Sequence, residues 1–227
     1  MQKSKYVLGI KPNGKHRDSL SYSGWTLWKT NKEGYRRRYY ENEKPFETVE
    51  TILGKQIAEK IERGELPWVP TYDMPEITLE VNIDGAKFNG RPDTYQSGTF
   101  AFMDHKTGHS DTNGKPPWNK VKVAKHKQLD WYSWLFKEKF GKVKNLCHIV
   151  WLETEFKEKT MKFGKHTLKA QTRELVLTGK YKKFSRTIQE WQRKKIKEEA
   201  LLAIKEIHED FIQYQNERST TTTIRNG

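Results

Sequence analysis

The stretch EITLEVNID, residues 76–84, sets Ile77, Leu79, Val81 and Ile83 at every second position. Side chains two apart in a strand share one face, so this is a strand with one buried side. The chain then turns through GAKFNGRPD into a second strand, and TFAFMDHKTG makes a third. After that the period changes. Residues 119–140, which contain HKQLDWYSWLF, read as one helix. LCHIVWLETEF and KAQTRELVLTG read as two further strands. A charged segment from Ser185 to Gln215 places Ile204, Ile207, Phe211 and Tyr214 on one helical stripe. Upstream, FETVETILGKQIAEKIERG spaces Val49, Ile52, Ile57 and Ile61 at about helical intervals, with Gly64 suited to the residue just past the helix. Ser21 or Ser23 is placed to cap a short helix near Gly24. Helices, three strands, a helix, two strands and a helix predict an α/β fold, a mixed central β-sheet flanked by helices with a long C-terminal helix.

Two hundred and twenty-seven residues with 34% hydrophobic content suffice for one core, not for two full domains. The expected divisions are a basic N-terminal segment (1–18), one domain (19–183), a C-terminal helix packed on it (184–215) and a disordered polar tail (216–227). The formal charge of +14 calls for a polyanionic partner, nucleic acid before an anionic membrane surface. The single cysteine, Cys147, excludes an intrachain disulfide and cannot hold a four-cysteine iron–sulfur cluster. No His pair has zinc-helix spacing. Apolar runs such as HIVWL are only a few residues long, so no membrane span or secretory signal is expected, and the chain reads as cytoplasmic or phage-encoded and acting in a host.

The chemistry is concentrated in GRPDTYQSGTFAFMDHKTG, residues 90–108. Asp104 and Lys106 project to the same side of their strand, alongside Phe100 and Phe102. Residues 95–99 include a glycine and allow the strand ending near Asp93 to run back against the one carrying Asp104. Two carboxylates then converge in a partly buried place, where they repel unless a cation joins them. A hard divalent ion such as Mg²⁺ (or Mn²⁺) suits that donor set. Lys106 is left to orient or deprotonate a water, or to neutralise a phosphate. Gln128 and Tyr132, four apart, share a helix face. Lys120, Lys122 and Lys125 lead into that helix and are the first choice for phosphate contacts; Arg36, Arg37, Arg38 and Lys180, Lys182, Lys183 are the others.

These motifs together resemble the PD-(D/E)XK nuclease superfamily, and within it the RecB-like and phage exonuclease-type branch. The pattern there is Gly-x-x-Asp, then Asp-x-Lys-Thr-Gly, then Gln-x-x-x-Tyr on the next helix. Here it falls on Gly90 and Asp93, on Asp104, Lys106, Thr107 and Gly108, and on Gln128 and Tyr132. SLSYSGWTLW, ETILGKQIAEKIERG and Glu80 add weaker likeness. The resemblance covers residues 20 to about 155 and implies a restriction-endonuclease-like core. It implies that Asp93 and Asp104 bind the metal with the His105 backbone carbonyl, and that Lys106 acts on the attacking water. Gln128 and Tyr132 would contact DNA or brace the site. The chain departs from the pattern on the first helix, where Ala58 stands at the position of a usual histidine and Glu59 beside it offers a substitute. No iron–sulfur cluster is implied, because the cysteines that hold one in many relatives are missing.

The readings that follow are a metal-dependent DNA nuclease, as a phage-type exonuclease in DNA recombination, repair or processing, and a catalytically weak or inactive nucleic-acid-binding protein on the same fold. Added metal yields cleavage only under the first. An oligomer is compatible with both.

Overall fold

The computed structural model describes the backbone of residues 4–45, 47–163 and 166–225, and the side chains of these except 50, 161–171, 173 and 220–225. Thirteen elements follow one another: β1 (Ser19–Ser21), α1 (Tyr22–Thr30), α2 (Lys32–Tyr39), α3 (Val49–Glu62), β2 (Leu79–Ile83), β3 (Ala86–Gly90), β4 (Thr94–Tyr95), β5 (Phe102–Gly108), α4 (Lys120–Ala124), α5 (Lys127–Phe140), β6 (Leu146–Phe163), β7 (His166–Thr187) and α6 (Glu190–Arg225). They form two sheets, ordered β1-β3-β2 and β4-β5-β6-β7. The second is mixed: β5 runs parallel to β6, while β4 and β7 lie antiparallel to their neighbours.

Local signals hold where they are strong. Ser21 caps α1, its hydroxyl accepting from the Gly24 N–H, and Gly64 follows α3 at φ 71°. The β2–β3 hairpin turns on Asp84 and Gly85, both at positive φ, which is the geometry a two-residue Asp-Gly turn supplies. The α6 stripe buries Ile196, Ala200, Ala203, Ile204, Ile207 and Phe211. The main core joins that stripe to α1, α2, α5 and the faces of both sheets, and it includes Leu8 from the N-terminal segment. That segment is tied down: the Val7 N–H donates to His208 Nδ1 on α6 at 3.1 Å.

Four expectations are corrected. The helix over residues 119–140 is two helices. Arg186 of β7 donates to the carbonyls of Val123 (3.4 Å) and His126 (2.9 Å), so α4 ends and α5 starts afresh. The strand before Asp93 is β3, which belongs to the other sheet; the two-residue β4 pairs with β5 instead, Thr94 opposite Met103. Phe100 is not on the strand. It sits at φ 56° in the preceding turn, stacked on Phe140 at 4.4 Å between centroids. The last helix begins at Glu190, because Ser185–Thr187 still pair with β6, and it continues to Arg225 through the stretch expected to be a disordered tail. Pairs four apart, Gln213 to Glu217 and Tyr214 to Arg218, support that extension.

α5 is buried on almost every side: Leu129, Trp131, Trp134, Leu135 and Phe136 are at most 1% exposed. Its two buried polar residues are both answered by arginines, Asp130 by Arg186 at 2.7 Å and Ser133 by Arg193 at 3.1 Å. A helix fixed this firmly is a rigid floor for whatever β5 presents to it.

Candidate active site

Asp104 lies in the middle of β5 at 3% exposure, on the face that meets α5. Its neighbour on that face, Lys106, brings Nζ to 2.6 Å from Asp104 Oδ2. The two form a buried ion pair, so the ammonium already answers that oxygen. The Lys106 ammonium also donates to Gln128 Oε1 at 3.0 Å, and Gln128 Nε2 donates to the Tyr132 hydroxyl at 2.7 Å. His126 Nε2 stands 3.2 Å from the same Gln128 oxygen. The result is a connected line from Asp104 through Lys106 and Gln128 to Tyr132. The sequence spacing brings these four together. Tyr132, for which the resemblance implies DNA contact or bracing of the site, is 5% exposed.

Asp93 follows β3 and precedes β4, with its side chain 30% exposed. Its Oδ2 accepts from the His105 backbone N–H at 2.5 Å and lies 3.5 Å from His105 Nδ1. The other ring nitrogen, Nε2, donates to the Pro70 carbonyl at 2.9 Å. Burial acts against the imidazolium, yet Asp93 more than offsets it and the His105 pKa is raised. His105 thereby pins Asp93 and the linker at Pro70 to β5.

Burial pushes the Asp104 carboxyl above the usual carboxylate range; Lys106 pulls it back, and Asp93 pushes it up again. For Lys106, burial disfavours the ammonium but the Asp104 carboxylate prevails, so its pKa is raised. Burial, helped by the Lys106 charge, lowers His126 to about 4 and leaves its ring neutral. Tyr132 is raised by burial and by Asp104.

The site opens into a cleft of about 780 Å³. One wall is α3, which contributes Lys55, Ala58, Glu59 and Glu62; the others come from residues 71–76 of the linker, Arg91, Asp93, His105 and Lys106. Glu59 therefore faces the same space as Asp93 and Lys106, and so does Ala58. Glu80 does not; it is exposed on β2, opposite Asn89. From this region Asp73 and Glu76 line the cleft, the latter paired with Arg91. Neither Glu76 nor Arg91 had a signal in the sequence beyond closeness to the Gly-Arg-Pro-Asp turn. Tyr22, whose hydroxyl feels the charges of Lys106 and Asp104, is a second residue that spacing alone does not reveal. Lys120, Lys122 and Lys125 are exposed on and just after α4, outside the cleft lining; Lys122 Nζ lies 4.6 Å from the Trp118 ring centroid and donates to the Pro117 carbonyl at 3.2 Å. Of the other expected phosphate contacts, Arg36 is committed to Asp210 at 2.5 Å.

The donor chemistry fits a hard divalent ion. Asp93 and Asp104 offer carboxylate oxygens, the hard donors such an ion takes. Among the described residues, no group of three or more His, Cys, Asp or Glu side chains converges to hold a metal ion. Cys147 is fully buried, its thiol pushed up to about 12 by desolvation.

A phage-related exonuclease from Haemophilus somnus 129PT superposes with a TM-score of 0.50 and 13% identity, covering 94% of this chain and 96% of its own. A candidate exonuclease from Eubacterium rectale superposes at 0.50 with 12% identity, covering 88% and 82% respectively. The fold is restriction-endonuclease-like. This restriction-endonuclease-like core carries the mixed β4–β7 sheet with α5 on one face and α3 on the other, and the cleft opens beside α3. No family model matches the sequence, and no curated protein matches it. No described helix is long and apolar enough to cross a membrane.

Proposed function

We propose that the protein is a PD-(D/E)XK deoxyribonuclease that uses Mg²⁺ or Mn²⁺ and works as a phage-type exonuclease. The single observation that carries this reading is the line Asp104–Lys106–Gln128–Tyr132, which reaches the cleft at Lys106, where Asp93 also lines it. Asp93 and Asp104, with the His105 carbonyl, would hold the ion. When bound, it supplies Lewis-acid charge at the scissile phosphate.

The chain's own residues do the rest. Lys106, held as an ammonium and oriented by Gln128, offsets negative charge that builds on the phosphate, a preorganised electrostatic role. Tyr132 and His126 fix the Gln128 amide so that its oxygen faces the lysine. Glu59 lines the same cleft and would accept a proton from the attacking water. Hydrolysis then adds hydroxide to phosphorus and delivers a proton to the leaving sugar oxygen. The +14 charge favours a polyanionic substrate. The two exonucleases of similar fold support an end-directed activity by analogy of fold.

The second reading, a binding protein with little or no catalysis, rests on Ala58 at the cleft wall. Incubation with end-labelled linear and closed circular DNA separates them. The nuclease reading expects linear DNA to be degraded in Mg²⁺, circles to survive, and EDTA to stop the reaction. DNA binding without cleavage in either metal supports the second reading, and cleaved circles would replace exonuclease by endonuclease.

A further inference from the structure

Beyond the cleft, an aromatic pair lies at the surface, at the edge of the smaller core cluster around Met103 and Leu152. Tyr181 on the edge strand β7 is 47% exposed, and its ring faces that of half-buried Trp68 at 6.4 Å with an interplanar angle of 28°. The surrounding sequence is Lys180-Tyr181-Lys182-Lys183, every residue of it exposed. Two independent links tie the pair to the site. Tyr181 is opposite Leu152, and Leu152 is opposite Thr107, which lines the cleft. Strands lie about 4.8 Å apart, so Tyr181 stands about 10 Å from Thr107 on the same sheet face. Trp68 is two residues from Pro70, whose carbonyl receives the His105 ring N–H beside Asp104.

We infer that Trp68 and Tyr181 form a stacking subsite for a nucleobase of the DNA strand bound in the cleft. This rests on the nuclease reading above and specifies its substrate contact. The base concerned belongs to the strand a short way from the phosphate held in the cleft. Lysines around an exposed ring are the combination that tracks a backbone while stacking its bases: the cations follow the phosphates and the ring accepts any base by its π-face. The subsite takes an unpaired base, since stacking needs an open face, so it favours a single-stranded or frayed end.

The test is binding of a labelled single-stranded DNA oligonucleotide in Ca²⁺, comparing the intact strand with a set of strands each made abasic at one position along its length. Base–aromatic stacking predicts that wild type binds the intact strand about 5- to 150-fold more tightly than the most affected abasic strand. Tyr181→Leu and Trp68→Leu should bring this ratio close to one, and Tyr181→Phe should keep it. Tyr181 is exposed, so its variants decide the matter if Trp68→Leu fails to fold. An equal affinity of wild type for the intact strand and every abasic strand, or a ratio preserved in Tyr181→Leu, overturns the subsite. Cutting of the intact strand by wild type in Mg²⁺ reports separately on the nuclease reading: if cutting is absent while the abasic ratio holds, the activity is refuted and the base subsite stands.

Discussion

Gly90 lies against Tyr132 so closely that a side-chain carbon at position 90 would stand 2.9 Å from Tyr132 Cε1 and 2.9 Å from Leu135 Cδ1. The glycine of the Gly-Arg-Pro-Asp turn is thus a packing requirement of α5. Gly90→Ala should displace Tyr132 and with it the Gln128 amide. Overpacking of this kind costs about 1–3 kcal/mol, to be read as a lower urea midpoint at unchanged slope. An unchanged midpoint would mean that α5 yields freely.

Lys106→Ala should retain divalent-ion binding and lose most of the activity. The ammonium is a neighbour of Asp104, not a ligand, and its contacts run to Gln128. Positioned catalytic groups contribute roughly 10²–10⁴-fold in rate. Calorimetry showing Mg²⁺ affinity collapsing along with turnover would refute this division of roles.

His148 is buried on β6 between Ser185 Oγ (2.9 Å) and the Tyr72 hydroxyl (3.0 Å), and burial lowers its pKa to about 4. A histidine kept neutral in the fold titrates near 6.5 when unfolded. Its contribution is therefore complete above pH 6.5 and is lost as pH falls toward 4. The loss is about 3 kcal/mol at most. His126 behaves the same way. His148→Gln should flatten, without abolishing, the fall in stability between pH 6.5 and 4, measured by urea unfolding across that range. A slope equal to that of wild type would show that His148 is already protonated in the fold.

If Lys120, Lys122 and Lys125 touch phosphates, changing all three to Gln should reduce the slope of log affinity against log salt by about two to three on duplex DNA. The measurement is made in Ca²⁺. The three lie outside the cleft lining, at the approach to α5. An unchanged slope would assign that face to solvent and leave the lysines around Tyr181 as the better path for the strand.

What could be read in the sequence was what depends on near neighbours. Residues 104 and 106 share a strand face and residues 128 and 132 share a helix face, so the motif spacing already contained the line from Asp104 to Tyr132. The Asp-Gly turn, the Ser21 cap and the α6 stripe were legible for the same reason. What escaped depends on distant partners. The break between α4 and α5 is made by Arg186, sixty residues away from His126. The two-residue β4 is too short to show a period and exists because β5 offers it an edge. Glu76 reaches the cleft through the path of a Pro-broken linker, which no periodicity describes, whereas Glu80, on a regular strand, points elsewhere.

The central claim is that Asp104 holds the ion on which cleavage depends, and Asp104→Asn tests it with the smallest change of shape. The rate of degradation of end-labelled linear DNA at saturating Mg²⁺ is compared between wild type and variant. The folded variant should fall to the level of wild type in EDTA. Degradation at the wild-type rate by a folded Asp104→Asn protein would contradict the account.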